Sequence, residues 1–341
     1  GRPTKEIKNQ LGKLNNKIIL IIISIFFLVV ISMGYQINTD TTPKKNNIAS
    51  AKEKKIISGT VSKIRDGDTI VLDTTPIRLN GLTCNELGTP LGDEAKLLAG
   101  GHSLLPMMKL RLAVPTVLID IGRVDDLSYV RDQGDHLSIG ALTKHGFLET
   151  NALLNAECPI LAHVASKVGD PQVRHRGTIG GSLAHSDSAS DLPAAVLALG
   201  GTIVAQGPNG VREISSRDFF TGYFESSLAE DEMLTEIRVP KSPGVNWNYQ
   251  KFNRRAQDWA IVGVAAVQVG DSTNVSLVNM GSTPIRAEAV EEALKAGANA
   301  DEAALHAADD TEPPTDLNAS PEYRAHLARV LTKRALQASG L

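Results

Sequence analysis

Two segments carry paired glycines in settings that suit an anion. The first, Ala99-Gly100-Gly101-His102-Ser103, closes the short apolar run Lys96–Leu98 and opens a predicted helix, Leu104–Leu112. The second is Thr178-Ile179-Gly180-Gly181-Ser182, preceded by Arg174, His175 and Arg176. Strand, glycine pair and helix start make a phosphate cradle. Glycine lets the backbone approach closely, and free N–H groups at a helix start face the anion. The basic residues before the second pair suit a pyrophosphate. Neither segment reads G-x-G-x-x-G and neither ends in Gly-Lys-Ser/Thr, which disfavours Rossmann and P-loop sites. The chain has two cysteines, Cys84 and Cys158, too few for a disulfide framework, a Cys₄ zinc site or a Cys₄ iron–sulfur cluster. Its eight histidines are scattered without metal-ligand spacing, and only His102 falls in a segment read as functional. Redox chemistry here therefore requires an organic cofactor or metals on another chain.

The elements that must hold these residues read as α+β. At 341 residues there is room for two or three domains, and 42% hydrophobic content with 21% charged content is globular. A net charge of −3 disfavours a nucleic-acid-coating protein. Thr116–Ile121, Leu137–Ala141, Thr202–Gln206 and Val211–Ile214 read as strands, with a tight turn at Gln206–Gly210. Pro159–Val168 and Asp191–Leu199 read as helices. Trp247–Asn253, Trp259–Val269 and Asn274–Met280 alternate like a small meander, and Ala287–Ala296, Ala303–Ala308 and Tyr323–Ala338 form a helical tail.

The N-terminal part differs in kind. Residues 1–96 contain three alanines and no histidine, whereas residues 97–341 contain 33 alanines and every histidine. The first 60 residues carry a net charge of +7. So abrupt a break fits two segments of different origin joined near residue 95. Ile18–Met33 is apolar apart from Ser24 and Ser32 and follows Lys5, Lys8, Lys13 and Lys17, the layout of a signal anchor or a signal peptide. This predicts membrane attachment through residues 18–35, with the lysine-rich stretch 36–55 as a linker.

Asp66-Gly67-Asp68 is a turn signal between predicted strands Ile56–Ile64 and Thr69–Leu72, and Ile77–Leu79 reads as a third strand. Taken alone, Asp-Gly between strands marks a hairpin. With Ile77-Arg78-Leu79-Asn80-Gly81 and Glu86, the segment resembles the start of the staphylococcal nuclease-like family, which has an OB-type barrel and cleaves phosphodiesters with calcium. The resemblance implies that Asp68 is a metal ligand, Arg78 holds the phosphate and Glu86 is the general base. Thr83 stands where the family has a further aspartate, and the resemblance ends at Lys96 without the second arginine or the later strands. It therefore implies an inactive, truncated nuclease-like segment over residues 56–95.

The two glycine segments together, with Ser190-Asp191-Leu192-Pro193, Phe219–Tyr223, Glu232–Leu234, Ile237–Pro240 and Trp259–Ala266, resemble the flavoprotein medium subunit of the carbon monoxide dehydrogenase and xanthine dehydrogenase family. The resemblance implies an FAD-binding fold of the vanillyl-alcohol oxidase / p-cresol methylhydroxylase type, with a C-terminal small sheet plus helical domain. A partial OB-type β-barrel and an N-terminal apolar helix would precede it. It further implies that Ala99, Gly100, Gly101, His102 and Ser103, with Thr178, Ile179, Gly180, Gly181 and Ser182, wrap the FAD pyrophosphate. Asp191 then contacts the cofactor, Leu234 lies by the flavin and Lys251 stands near a family lysine position. The family's leading strand and helix are replaced here by the nuclease-like segment, exposing apolar surface beside Lys96–Leu98. Expected domains are 1–35, 36–55, 56–95, an FAD-binding domain 96–228 and a C-terminal domain 229–341. The family's partners are a molybdenum-cofactor large subunit and a 2Fe-2S small subunit. Its flavin subunit is cytoplasmic, whereas the N-terminus predicts a membrane anchor. The competing readings are a membrane-anchored, inactive nuclease-like protein and a non-native fusion of the two parts.

Overall fold

The computed structural model describes strands Val61–Arg65, Thr69–Leu72 and Thr75–Arg78 and then residues 95–115 and 117–340. The apolar run Ile18–Met33, the linker 36–55, Asp68 and Glu86 lie outside the described residues. Among the described residues no helix is long and apolar enough to cross a membrane.

The first sheet is an antiparallel meander of β1 (Val61–Arg65), β2 (Thr69–Leu72) and β3 (Thr75–Arg78), with Arg65 opposite Thr69 and Thr69 opposite Arg78. The third strand starts at Thr75, earlier than Ile77, and Pro76 is tolerated there because β3 is an edge strand. Arg78 is the last residue of β3. Among the described residues the sheet has three strands and does not close into a barrel.

Next, β4 (Ala95–Leu98) and β5 (Val117–Asp120) pair in parallel, joined through the first glycine pair and the helix Leu104–Lys109. That helix has no buried residue, and Leu105, Leu110, Leu112 and Val114 are exposed.

Five antiparallel strands build the central sheet: β6 (Val130–Asp132), β7 (His136–Gly140), β8 (Thr202–Gly207), β9 (Gly210–Ser215) and, beyond a small hairpin of β10 (Phe220–Gly222) and β11 (Glu225–Ser226), β12 (Met233–Pro240). Their order is β6-β7-β12-β8-β9, so β12 is the middle strand although it comes last in sequence. The first body thus extends through Pro240, beyond the division at 228/229 expected from sequence. Between β7 and β8 the chain makes helices over His145–Thr150, Ala152–Glu157, Pro159–Lys167, Pro171–Arg176, Ile179–His185 and Asp191–Ala198.

The C-terminal sheet is a meander of β13 (Trp247–Phe252), β14 (Val262–Val269), β15 (Ser272–Val278) and β16 (Ile285–Arg286). Strand β14 is buried on both faces. Ala265 and Val267 join the core of the first body, whereas Val262, Val264 and Ala266 join a second core with Val275, Leu327 and Leu331. The long helix Pro321–Ser339 covers β13 and β14; Ser320 caps its start and Gly340, at φ 71°, ends it. Helix Asp191–Ala198 is buried on every side and packs against both Pro159–Lys167 and strands β14 and β15.

Candidate functional site

The two glycine segments meet. A Cβ on Gly100 would fall onto the Arg176 carbonyl oxygen and lie 2.9 Å from Gly177 Cα, so the first loop rests on the second at backbone contact. Gly101 has φ +80°, a conformation that L side chains rarely adopt. The N–H groups of Gly100, Gly101, His102 and Ser103 have no protein acceptor among the described residues. This loop supplies the open donors of an anion cradle.

The second segment is built differently from expectation. Arg174–Arg176 ends a helix whose cap is Asp170, and only Gly177 and Thr178 separate it from the next helix, Ile179–His185. Thr178 Oγ1 accepts from Gly181 N at 3.2 Å. Ile179 N donates to Thr143 O and Gly180 N to Ala141 O, at 3.0 and 2.9 Å. Those N–H groups are spent holding the helix start against the end of β7. Gly180 is required by that packing, since its Cβ would lie 2.6 Å from Ala141 O. Arg174, expected beside the pyrophosphate, instead donates to Glu149 Oε2 at 2.8 Å and to the carbonyls of Val168 and Gly169. Neither it nor His175 nor Arg176 lines the cavity below.

A cavity of about 440 Å³ opens from these loops. Ala99, Gly100, Gly101, His102, Ser103, Thr178, Gly180, Gly181, Ser182, Asp191, Leu234 and Lys251 all line it. Ile179 does not; its side chain is fully buried in the main core. Leu234 presents an apolar wall from β12, paired across the sheet with Ala205. Asp191 and Lys251 form a buried ion pair at 2.8 Å, and Lys251 Nζ also donates to Lys167 O at 3.0 Å. Tyr249 Oη donates to the other Asp191 oxygen at 2.5 Å. Burial pushes the Asp191 carboxyl upward while the Lys251 ammonium and the phenol hydroxyl pull it back. Burial, together with the Asp191 charge, holds Tyr249 protonated well above the ordinary phenol range.

Several residues in or beside the cavity were given no role of their own by the sequence. His145 lies behind the second segment, with its ring where a Gly177 Cβ would stand and Nε2 3.3 Å from Ser182 Oγ. Burial, with the nearby His102 and Arg174 charges, pulls its pKa down to about 4, so it is neutral at neutral pH. Trp259 stands half exposed at the cavity rim, beside Gln257 and Asp258. Glu232 is held by Arg212 at 2.6 Å. Tyr249 had one readable signal, its position two residues before Lys251 on a predicted strand, which places both on one face. Among the described residues no cluster of His, Cys, Asp and Glu could hold a metal ion. The site therefore has an open-donor loop for a phosphate, an apolar wall and a buried charged end, with glycines where a close approach excludes any side chain. These features fit FAD.

Comparison with known proteins agrees. Residues 83–242 match the family described as the FAD binding domain in molybdopterin dehydrogenase, and residues 247–339 match the CO dehydrogenase flavoprotein C-terminal domain. The first match includes Glu86, the residue read from sequence as a nuclease-like base. The chain is 42% identical to the carbon monoxide dehydrogenase medium chain of Hydrogenophaga pseudoflava, over 73% of this chain and 90% of that one. It is 35% identical to the glyceraldehyde dehydrogenase medium chain of Sulfolobus acidocaldarius, over 72% and 90%. A solved structure of the Hydrogenophaga pseudoflava carbon monoxide dehydrogenase superposes with a TM-score of 0.70 at 40% identity, covering 78% of this chain and 98% of that one. The chain belongs to the FAD-binding medium subunits of the carbon monoxide dehydrogenase and xanthine dehydrogenase type of oxidoreductase, and FAD is its cofactor.

Proposed function

We propose that the chain is the electron-transfer subunit of a molybdenum hydroxylase-type dehydrogenase, taking electrons from an iron–sulfur small subunit and a molybdenum-cofactor large subunit. The observation that carries this reading is the backbone contact of the first glycine segment with the start of the second, both lining one cavity together with Leu234 and the Asp191–Lys251 pair. Bound FAD supplies the redox chemistry, accepting electrons and passing them to an external acceptor. The residues of this chain supply its binding and surroundings. The N–H groups of Gly100 to Ser103 hold the pyrophosphate, with the Thr178 and Ser182 hydroxyls beside them. Leu234 would give the ring system an apolar wall, and Lys251, neutralised by Asp191, would set the charge near it. The medium-subunit relatives and the molybdenum cofactor named for the Hydrogenophaga enzyme support the partner assignment.

The layout of the N-terminal part is a reading of the sequence: residues 1–35 as a membrane anchor, 36–55 as a linker and 56–95 as a truncated, inactive nuclease-like segment. No reaction step is assigned to Asp68, Arg78 or Glu86. Deleting Ile18–Met33 should move the chain from the membrane to the supernatant after centrifugation; an intact chain that never sediments with membranes refutes the anchor. The flavin reading is tested by loading the chain with FAD, desalting it and measuring flavin absorbance near ~450 nm. Stoichiometric retention is expected. A chain that retains none refutes the site.

A further inference from the structure

Strand β13 directs Tyr249 and Lys251 toward the helix Asp191–Ala198, two residues apart as strand alternation requires. Both reach one carboxylate, Tyr249 Oη at Oδ1 and Lys251 Nζ at Oδ2. Asp191 and Lys251 line the cavity, whereas Tyr249 does not and is 6% exposed. Strand β14 makes room for the phenol oxygen: Gly263 stands opposite Lys251, and a Cβ there would lie 3.1 Å from Tyr249 Oη. The lysine ammonium sits on a flexible stem and can rotate. Tyr249 is the rigid donor of the three groups, its ring fixed in the core shared by the two sheets.

We propose that Tyr249 is a positioning residue of the flavin site: acting through Asp191, it keeps that carboxylate charged and oriented, so that Lys251 faces the cofactor as a neutralised cation. The inference rests on the reading that Asp191 and Lys251 face the flavin. Lys251 and Tyr249 from β13 and Asp187 from the loop before the helix are the charged and titratable groups that act on Asp191. Burial and Asp187 oppose its ionisation, and the two donors counter them. Without the phenol hydroxyl, Asp191 takes up a proton more readily. Lys251 then stands uncompensated, and a positive charge beside the flavin favours its reduced form.

The test is the midpoint potential of the full chain loaded with FAD, measured between about pH 5 and about pH 9. Three proteins are compared: the parent, Tyr249→Phe, and the chain with 3-fluorotyrosine at position 249 alone. Protonation of Asp191 appears as an inflection in the potential–pH curve. In Tyr249→Phe the inflection should move to higher pH by about one unit, a tenfold change in proton affinity and the scale of one hydrogen bond to a charged group. The fluorinated phenol is a stronger donor and should move it to lower pH. If Tyr249→Phe does not fold, the fluorotyrosine protein, which keeps the side chain's shape, decides by the sign of its shift. Inflections at one pH in all proteins that bind flavin overturn the proposal. A parent chain that holds no FAD overturns the reading of the cavity, and the proposal falls with it.

Discussion

The contact between the two glycine segments makes Gly100 the most exposed point of the flavin site to mutation. In Gly100→Ala the new Cβ meets backbone, the Arg176 carbonyl and Gly177 Cα, which cannot rotate aside as a side chain can. Overpacking of this kind costs about 1–3 kcal/mol. In the free chain the first loop can relieve it by moving, because the helix Leu104–Lys109 that follows has no buried residue to hold it. Bound FAD requires both segments at once, so the cost falls mainly on the complex. FAD binding should weaken by about 5- to 150-fold, the conversion of that range at 1.4 kcal/mol per decade. The apo chain's melting temperature should change little.

Titration of flavin fluorescence measures this directly, and two further glycines separate the explanations. Gly181→Ala brings its Cβ to 2.9 Å from Thr178 Oγ1 and nothing else, a side-chain atom able to yield, so its effect should be smaller. Gly146→Ala makes only ordinary contact, at 3.4 Å from Arg174 O, inside a helix where alanine is the better former by about 1 kcal/mol. It should bind FAD like the parent. If Gly100→Ala retains parental affinity, the two segments do not close on one pyrophosphate. If Gly181→Ala is as damaging as Gly100→Ala, the second segment contributes donors that its hydrogen bonds in the apo chain conceal.

His145 is buried with its pKa pulled from 6.5 down to about 4, so the stability it confers is present above pH 6.5 and lost as pH falls toward 4. Denaturant melts should show a loss of about 2 kcal/mol between pH 7 and pH 5 that is reduced in His145→Gln; equal losses in both proteins refute the assignment. Cys158 is fully buried, and burial pushes its thiol up to about 11, so peptide-mapped alkylation should find it unmodified until the chain is unfolded. Arg324 is fully buried, donating to the Ile261 carbonyl and pairing with Asp316 at 2.7 Å. Arg324→Ala empties a fully buried site and should destabilise the chain by about 2–5 kcal/mol in chemical denaturation, and a cost below about 1 kcal/mol would show that the buried side chain is dispensable.

Local signals carried most of the elements. The strands near residues 117–120, 202–207 and 247–252 and the helices near 159–167 and 321–339 follow from alternation, a Pro at a helix start and a Gly at a helix end. In the sequence, residues 174–182 look like one basic loop because of Gly177 and the Gly180-Gly181 pair, yet all but Gly177 and Thr178 belong to the short helices Pro171–Arg176 and Ile179–His185. Their helical state comes from caps: Asp170 accepts from Val173 N, and Thr178 accepts from Gly181 N. The same residues decide their chemistry. Glycines at 180 and 181 suggested free donors, yet backbone pairing to Ala141 and Thr143 consumes the N–H groups of Ile179 and Gly180. Only the acceptors just past β7 reveal that, and they lie 39 and 36 residues earlier in the sequence (180 − 141 and 179 − 143).

What no local pattern could supply is the closing of the site's charged end. Asp191 begins a helix and Lys251 sits on a strand of the other sheet, 60 residues further on. They meet because the helix Asp191–Ala198 is apolar on every face, a property that forces it between two layers rather than onto a surface. It packs on β14 and β15 as well as on Pro159–Lys167, and Ala265 of β14 shares its core. That burial strips water from Asp191 and makes its two donors obligatory. The C-terminal sheet therefore does more than pack on the flavin domain: it supplies the cation and the phenol that allow a carboxylate to stand buried at the edge of the cavity. A chain cut after β12 would keep both glycine segments and the Leu234 wall. It would also uncover the helix Asp191–Ala198 and remove both donors to Asp191, and so could not hold the site in this form.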